Sequence, residues 1–143
     1  MKPELDHITG HIVDAAVKLH IGLGPGLLES VYEAILAQQL VARGFVVRRQ
    51  KNVPFEFDGL HFDEGLRVDL LVNELIVVEL KSVHRLAPVH SKQVLTYLRL
   101  LNLEVGLLIN FGAGTLKEGL RRIVNNHTPS PNSPLRINRR PAT

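Results

Sequence analysis

Cysteine is absent from all 143 positions. That excludes disulfides, thiolate zinc sites and thiol catalysis, and it fits a reducing compartment. Long hydrophobic runs are also missing: no apolar stretch approaches the ~18 residues that a bilayer span requires. Met1-Lys2-Pro3-Glu4-Leu5-Asp6 has no apolar core of the signal-peptide kind. The expectation is a soluble, cytoplasmic protein with no membrane partner. A basic excess is lacking from most of the chain as well. Of 17 Lys and Arg, Arg136, Arg139 and Arg140 lie in residues 127–143, and the remaining 14 equal the 14 Asp and Glu. The net charge of +3 is thus a property of the tail. A globally basic nucleic-acid-binding face is not supported by composition.

What is present suits one domain with a proper core. Leu5, Ile8, Ile12, Ala16 and Leu19 recur at helical spacing, and Gly22-Leu23-Gly24-Pro25-Gly26 ends that helix. A second helix is expected over 27–43, with Leu28, Val31, Ile35 and Leu40 as its apolar stripe and Gly44 as its cap. From Phe45 the period changes to two. Strands are expected at 45–50, 53–57, 66–72 and 75–81, with turns at Asp58-Gly59 and near Glu64-Gly65. A third helix begins at Pro88, a further strand covers 104–110, and a short last helix covers 116–124. The order α-α-β-β-β-β-α-β-α implies an α/β fold, a central mixed sheet flanked by helices. The strand–helix–strand unit at 75–110 should be a parallel crossover. Residues 1–126 form the expected domain. Residues 127–143, with four prolines among Ser, Asn and Arg, are expected to be a disordered tail.

The informative residue is the glutamate in Leu75-Ile76-Val77-Val78-Glu79-Leu80-Lys81. Such a strand reads as buried on both faces, and a bare carboxylate there would cost several kcal/mol, roughly, without compensation. Lys81 could supply it as an ion pair. A divalent metal shared with Asp69, on the preceding strand, could supply it too. Mg²⁺ takes hard oxygen ligands, and Mn²⁺ can substitute. Asp69, Glu79 and the Leu80 carbonyl offer three such oxygens. Lys81 projects to the same face as Glu79 and could orient water or steady phosphate charge. Phosphodiester hydrolysis by metal-activated water needs this set. Register sets a condition. A two-residue turn at Asn73-Glu74 would put Asp69 and Glu79 on opposite faces, whereas an odd-length loop or a bulge pairs them directly.

Gln93 and Tyr97, four apart on the third helix, share a face and could position substrate or water. Glu29 opens the second helix with Tyr32 and Glu33 beside it, and could be a further ligand, direct or through water. The same residues have ordinary readings: Glu29 as a dipole-favoured acid, Tyr32 and Tyr97 as packing. His7 and His11 have zinc-compatible spacing but lack an accompanying carboxylate motif, so a solvated helix face is the expectation.

Gly26-Leu27-Leu28-Glu29-Ser30-Val31-Tyr32 resembles the motif for which the GxxExxY protein family is named. That family belongs to the PD-(D/E)XK nuclease superfamily. Asp69 followed by Glu79-Leu80-Lys81 resembles the superfamily's D…(D/E)xK core, with Val68 where proline often stands. Gln93-Val94-Leu95-Thr96-Tyr97 resembles the QxxxY motif of its RecB-like and Cas4-like branches. The resemblance covers about residues 5–125. It implies a restriction-endonuclease-like core and Mg²⁺-dependent cleavage of nucleic acid, DNA rather than RNA. Asp69, Glu79 and Glu29 are then ligands and Lys81 is catalytic. A catalytically inactive nucleic-acid-binding or regulatory module on the same fold is the alternative. A homodimer or larger assembly stays open.

Overall fold

The computed structural model describes residues 2–126, and the backbone alone of 135–137. Helix α1 (Pro3–Leu23) starts with proline at its first turn and buries Leu5, Ile8, Ile12, Ala16 and Leu19, the stripe expected from spacing. Helix α2 spans Glu29–Ala42. Strands β1 (Val47–Phe57), β2 (Leu60–Val72) and β3 (Ile76–Lys81) follow, then helix α3 (Pro88–Leu101) and strand β4 (Val105–Asn110). Helix α4 (Leu116–Gly119) and strand β5 (Leu120–Val124) come next, and β6 (Leu135–Ile137) pairs with Phe55–Phe57. Otherwise the tail expected at 127–143 lies outside the described residues. One mixed sheet has the order β5-β4-β3-β2-β1-β6. Among the described residues only the β3–β4 pair is parallel, joined through α3 as expected. The α/β class with helices flanking a mixed sheet is restriction-endonuclease-like.

The core lies in two layers. Helices α1 and α2 pack on the face carrying Leu70, Val72, Val78, Leu80, Leu107 and Ile109. Helix α3 packs on the other face, where Val94, Tyr97 and Leu98 meet Val68, Leu71, Val77 and Leu108. Alternate residues of β3 therefore serve opposite layers. Val78 and Leu80 face α1 and α2. Val77 faces α3, and Glu79 and Lys81 share its parity.

Four local expectations change. The strands expected at 45–50 and 53–57 form a single strand, β1. Gln50 takes φ 50° without ending it, and the pairs Arg49–Leu70 and Lys51–Val68 keep one register around it. Strand β2 begins at Leu60, and no turn forms at Glu64-Gly65. Instead the register shifts between Val53 and Phe55, around Pro54, which cannot donate to the ladder. The Asp58-Gly59 turn is present, both residues having positive φ. The helix expected at 116–124 stops at Gly119, and the chain continues as β5, paired with β4. A side chain on Gly119 would lie 2.3 Å from the Asn110 carbonyl oxygen, so the turn is built on close backbone approach. Lastly, α2 is rotated relative to the expected stripe. Leu28 and Val31 are exposed, and Tyr32, Glu33, Leu36, Ala37 and Leu40 are buried. The Tyr32 ring stacks on Phe111 at 4.4 Å, and its hydroxyl donates to the Gly24 carbonyl at 2.6 Å. Anchoring Tyr32 inward turns Glu33 inward with it.

Candidate active site

The β2–β3 turn is three residues long, Asn73-Glu74-Leu75, with Asn73 and Glu74 at φ 51° and 56°. Its register pairs Val72 with Ile76 and Leu70 with Val78, so Asp69 falls opposite Glu79. The odd-loop condition is met. Backbone pairing stops at Leu70–Val78, and two carboxylates take over. Glu79 Oε1 accepts from the Asp69 N–H at 2.9 Å, and Asp69 Oδ2 accepts from the Leu80 N–H at 2.9 Å. The N–H and C=O of a strand residue face the same neighbour, so the unpaired Leu80 carbonyl is directed toward the same gap.

Glu79 is 4% exposed. Burial, and then the nearby Asp69 carboxylate, push its carboxyl up to about 8. Lys81 draws it down only as the smallest of these influences, and among the described residues Glu79 makes no ion pair. The Glu79–Lys81 ion pair is therefore not what compensates the buried acid in this arrangement.

Sequence reasoning missed the support behind Asp69. Gln50 Nε2 donates to Asp69 Oδ1 at 3.2 Å and also to Glu33 Oε1. Glu33, 5% exposed, pairs with Arg49 at 3.1 Å. The left-handed kink at Gln50 turns this amide to the site, the kind of local strain found at functional positions. Neither the kink nor the inward turn of Glu33 has a signal in residue spacing. Glu33 stood beside Glu29 in the sequence but had no role there.

Two clefts flank the pair. One, of about 800 Å³, holds Asp69, Leu80, Glu29, Glu33, Arg49 and Arg67 among its lining. The other, of about 490 Å³, is lined by Lys81, His90, Lys92 and Gln93. Gln93 thus sits with Lys81. Tyr97 lies beneath, its phenol pushed up by burial and by the carboxylates of Glu79 and Asp69, while the Gln93 side chain pulls it the other way. Glu29 stands across the larger cleft and accepts from the Ser82 N–H at 3.3 Å. Tyr32, the last residue of the same motif, is wholly buried, and its role is packing. The rings of His7 and His11 pack on Phe45 at 6.1 and 5.4 Å.

Asp69, Glu79 and the Leu80 carbonyl are a donor set of the type a hard divalent cation takes. The raised Glu79 carboxyl is the energetic sign that positive charge beside the pair would be favourable. Glu29 does not close on them: among the described residues no three Asp, Glu or His side chains gather as a metal-holding group. Among those residues, too, no helix is long and apolar enough to cross a membrane.

No curated protein and no solved structure is similar enough to this chain to match. Residues 6–123 match the profile of the PD-(D/E)XK nuclease superfamily, a span that includes every site residue above. On that match, over most of its length, the chain belongs to the PD-(D/E)XK nuclease superfamily.

Proposed function

We propose that this protein is a Mg²⁺-dependent nuclease that hydrolyses phosphodiester bonds of nucleic acid, DNA in preference to RNA. The observation that carries the reading is the pairing of Asp69 with the buried Glu79 where the β2–β3 ladder ends, with Lys81 one residue beyond Leu80. Asp69, Glu79 and the Leu80 carbonyl would hold the ion, with Mn²⁺ able to replace Mg²⁺. Glu29 belongs to the same proposal as a further ligand. When bound, the cation neutralises phosphate charge and acidifies water.

The chain's own residues do the rest. Lys81 places its ammonium where charge builds on a phosphate oxygen. Tyr97 stays protonated, because burial, and then the neighbouring carboxylates, oppose its ionisation, so its hydroxyl can donate to water or phosphate. Gln93, exposed beside Lys81, can steady a substrate oxygen from the same side. Arg49 and Arg67 line the larger cleft and suit a sugar-phosphate backbone. The motif Gly26-x-x-Glu29-x-x-Tyr32 supports placement in the GxxExxY family, and the lack of cysteine supports the cytoplasm.

The test is cleavage of single- and double-stranded DNA and RNA with Mg²⁺, Mn²⁺ or EDTA. Wild type should cut only with metal, and Asp69→Ala and Lys81→Ala should each lose on the order of 100-fold or more. Undiminished cleavage by both variants refutes the reading. One observation favours an inactive binding module instead: no third acidic side chain joins Asp69 and Glu79 among the described residues. Calorimetry separates the two. Nucleic-acid binding without Mg²⁺ or Mn²⁺ binding would favour the module.

A further inference from the structure

Strands β3 and β4 run parallel and end together, Lys81 beside Asn110. Ligands of such sheets gather beyond the carboxyl ends of the strands. The loops leaving these ends are clamped to each other. Asn110 is 1% exposed, its Oδ1 accepting from the N–H groups of Val83 and Gly112 at 3.0 Å and its Nδ2 donating to the Val83 carbonyl at 2.9 Å. A side chain on Gly112 would meet the Val83 carbonyl oxygen at 2.3 Å, so the loops touch. The buried His20 ties the second loop to α1 through the Ala113 carbonyl at 2.9 Å. The result is a preformed polar pocket of about 390 Å³.

His84, Arg85 and Arg121 bring cationic or protonatable groups to it, against one carboxylate, Glu118. Arg121 is steadied by two backbone carbonyls, those of Glu118 and Leu120, at 2.8 and 2.9 Å, which leave its charge uncancelled. Arg85 makes no hydrogen bond or ion pair among the described residues. Two guanidiniums lining one open polar pocket suit a tetrahedral oxyanion, which their planar forks can grip bidentately. Their clustering is local, because residues 1–126 are neutral overall.

We propose that this pocket is a phosphate subsite for a nucleic-acid strand, gripped by Arg85 and Arg121 with His84 beside them. It lies on the loop that begins at Lys81, so a phosphate held here belongs to the strand whose scissile bond sits at Lys81. The subsite rests on the nucleic-acid reading of the Asp69–Glu79–Lys81 centre. The phosphate is either internal or terminal, and the choice decides whether the enzyme works along a strand or from an end.

The experiment is fluorescence anisotropy in metal-free buffer, where no cleavage intervenes. It uses a ~20-nucleotide single strand bearing a 5′-phosphate, a 3′-phosphate or only hydroxyls, across a salt series. Arg85→Gln and Arg121→Gln should each weaken binding ~5–10-fold and reduce the salt slope by about 1. Glu118→Gln should tighten binding. Lys18→Gln, which removes an exposed cation paired with Asp14 and not among the residues that line the pocket, should leave the slope unchanged. Loss confined to one phosphorylated end assigns a terminal phosphate, and equal loss on all three strands assigns an internal one. Arg85 is exposed and makes no hydrogen bond or ion pair among the described residues, so its variant separates the subsite from the fold. Wild-type affinity and slope in both arginine variants, or no binding by the wild type, overturns the proposal. Absent cleavage with these losses intact removes the hydrolytic reading and leaves the subsite standing.

Discussion

Burial of Glu79 makes the stability of the metal-free protein depend on pH in a direction opposite to that of ordinary surface carboxylates. Its carboxyl titrates near 4.5 when unperturbed and is pushed up to about 8 in the fold, first by burial and then by Asp69. Between these values the folded protein keeps a proton that the unfolded chain has released. Stability is therefore fully present below about 4.5 and falls as pH rises through about 8, by up to ~1.4 kcal/mol for each pH unit. The total is roughly 5 kcal/mol, a large part of a typical domain's stability. Glu79→Gln keeps the shape and the oxygen that accepts from the Asp69 N–H, and it abolishes the titration. Urea unfolding of EDTA-treated protein across pH 5–8 reads the difference; titrating groups remote from Glu79 cancel between the two proteins. The variant should match wild type near pH 5 and exceed it by about 4 kcal/mol near pH 8. Adding Mg²⁺ at pH 8 should recover stability in the wild type more than in the variant, by linkage of binding to folding. Parallel profiles for the two proteins would refute the account of Glu79 as an uncompensated buried acid.

The brace behind Asp69 has its own readout. Gln50→Ala and Glu33→Gln should weaken Mn²⁺ binding by ~10–100-fold, as loss of groups that orient a ligand does. Calorimetry checks this, with Gln50→Glu as a variant that keeps length but turns a donor into a third acid. Gly112→Ala should destabilise the fold by about 1–3 kcal/mol or more in thermal melts, since its side chain would lie 2.3 Å from the Val83 carbonyl oxygen, a backbone atom that cannot swing aside.

The parts of the site legible in the sequence are those fixed by period and by burial cost. The apolar run across 75–80, read as buried on both faces and broken by one carboxylate, locates Glu79. The need to pair it on one face dictated an odd loop, which Asn73-Glu74-Leu75 provides through two residues at positive φ. The α2 stripe was misassigned because Leu28, Val31 and Ile35 fit a helical period as well as Tyr32, Leu36 and Leu40 do. The deciding contact, Tyr32 against Phe111, joins residues far apart in the chain. The same long-range fact turns Glu33 toward Gln50, so that brace could not be read locally. Residues 120–124 failed for a related reason. Leu120, Ile123 and Val124 fit a helix by spacing, yet the open edge of β4 offers a full ladder, and Gly119 ends the helix before it.

The place of the site follows from the sheet itself. A carboxylate inside a sheet is intolerable where every backbone donor is already paired. Here the ladder between β2 and β3 ends at Leu70–Val78, which frees the Leu80 N–H for Asp69 and the Asp69 N–H for Glu79. On the other side of β2, the kink at Gln50 interrupts pairing opposite Asp69 and supplies an amide in place of the missing ladder bond. Asp69 is thus the one residue of β2 at which pairing lapses toward both neighbours while the flanking pairs hold register on the β1 side. Two backbone donors and one amide make two adjacent carboxylates geometrically tolerable. They do not cancel the charge, as the raised Glu79 carboxyl records. A sheet interruption that satisfies hydrogen bonding but leaves negative charge uncompensated is a structure poised for a cation, and Lys81, held back from Glu79, keeps its own charge for something else.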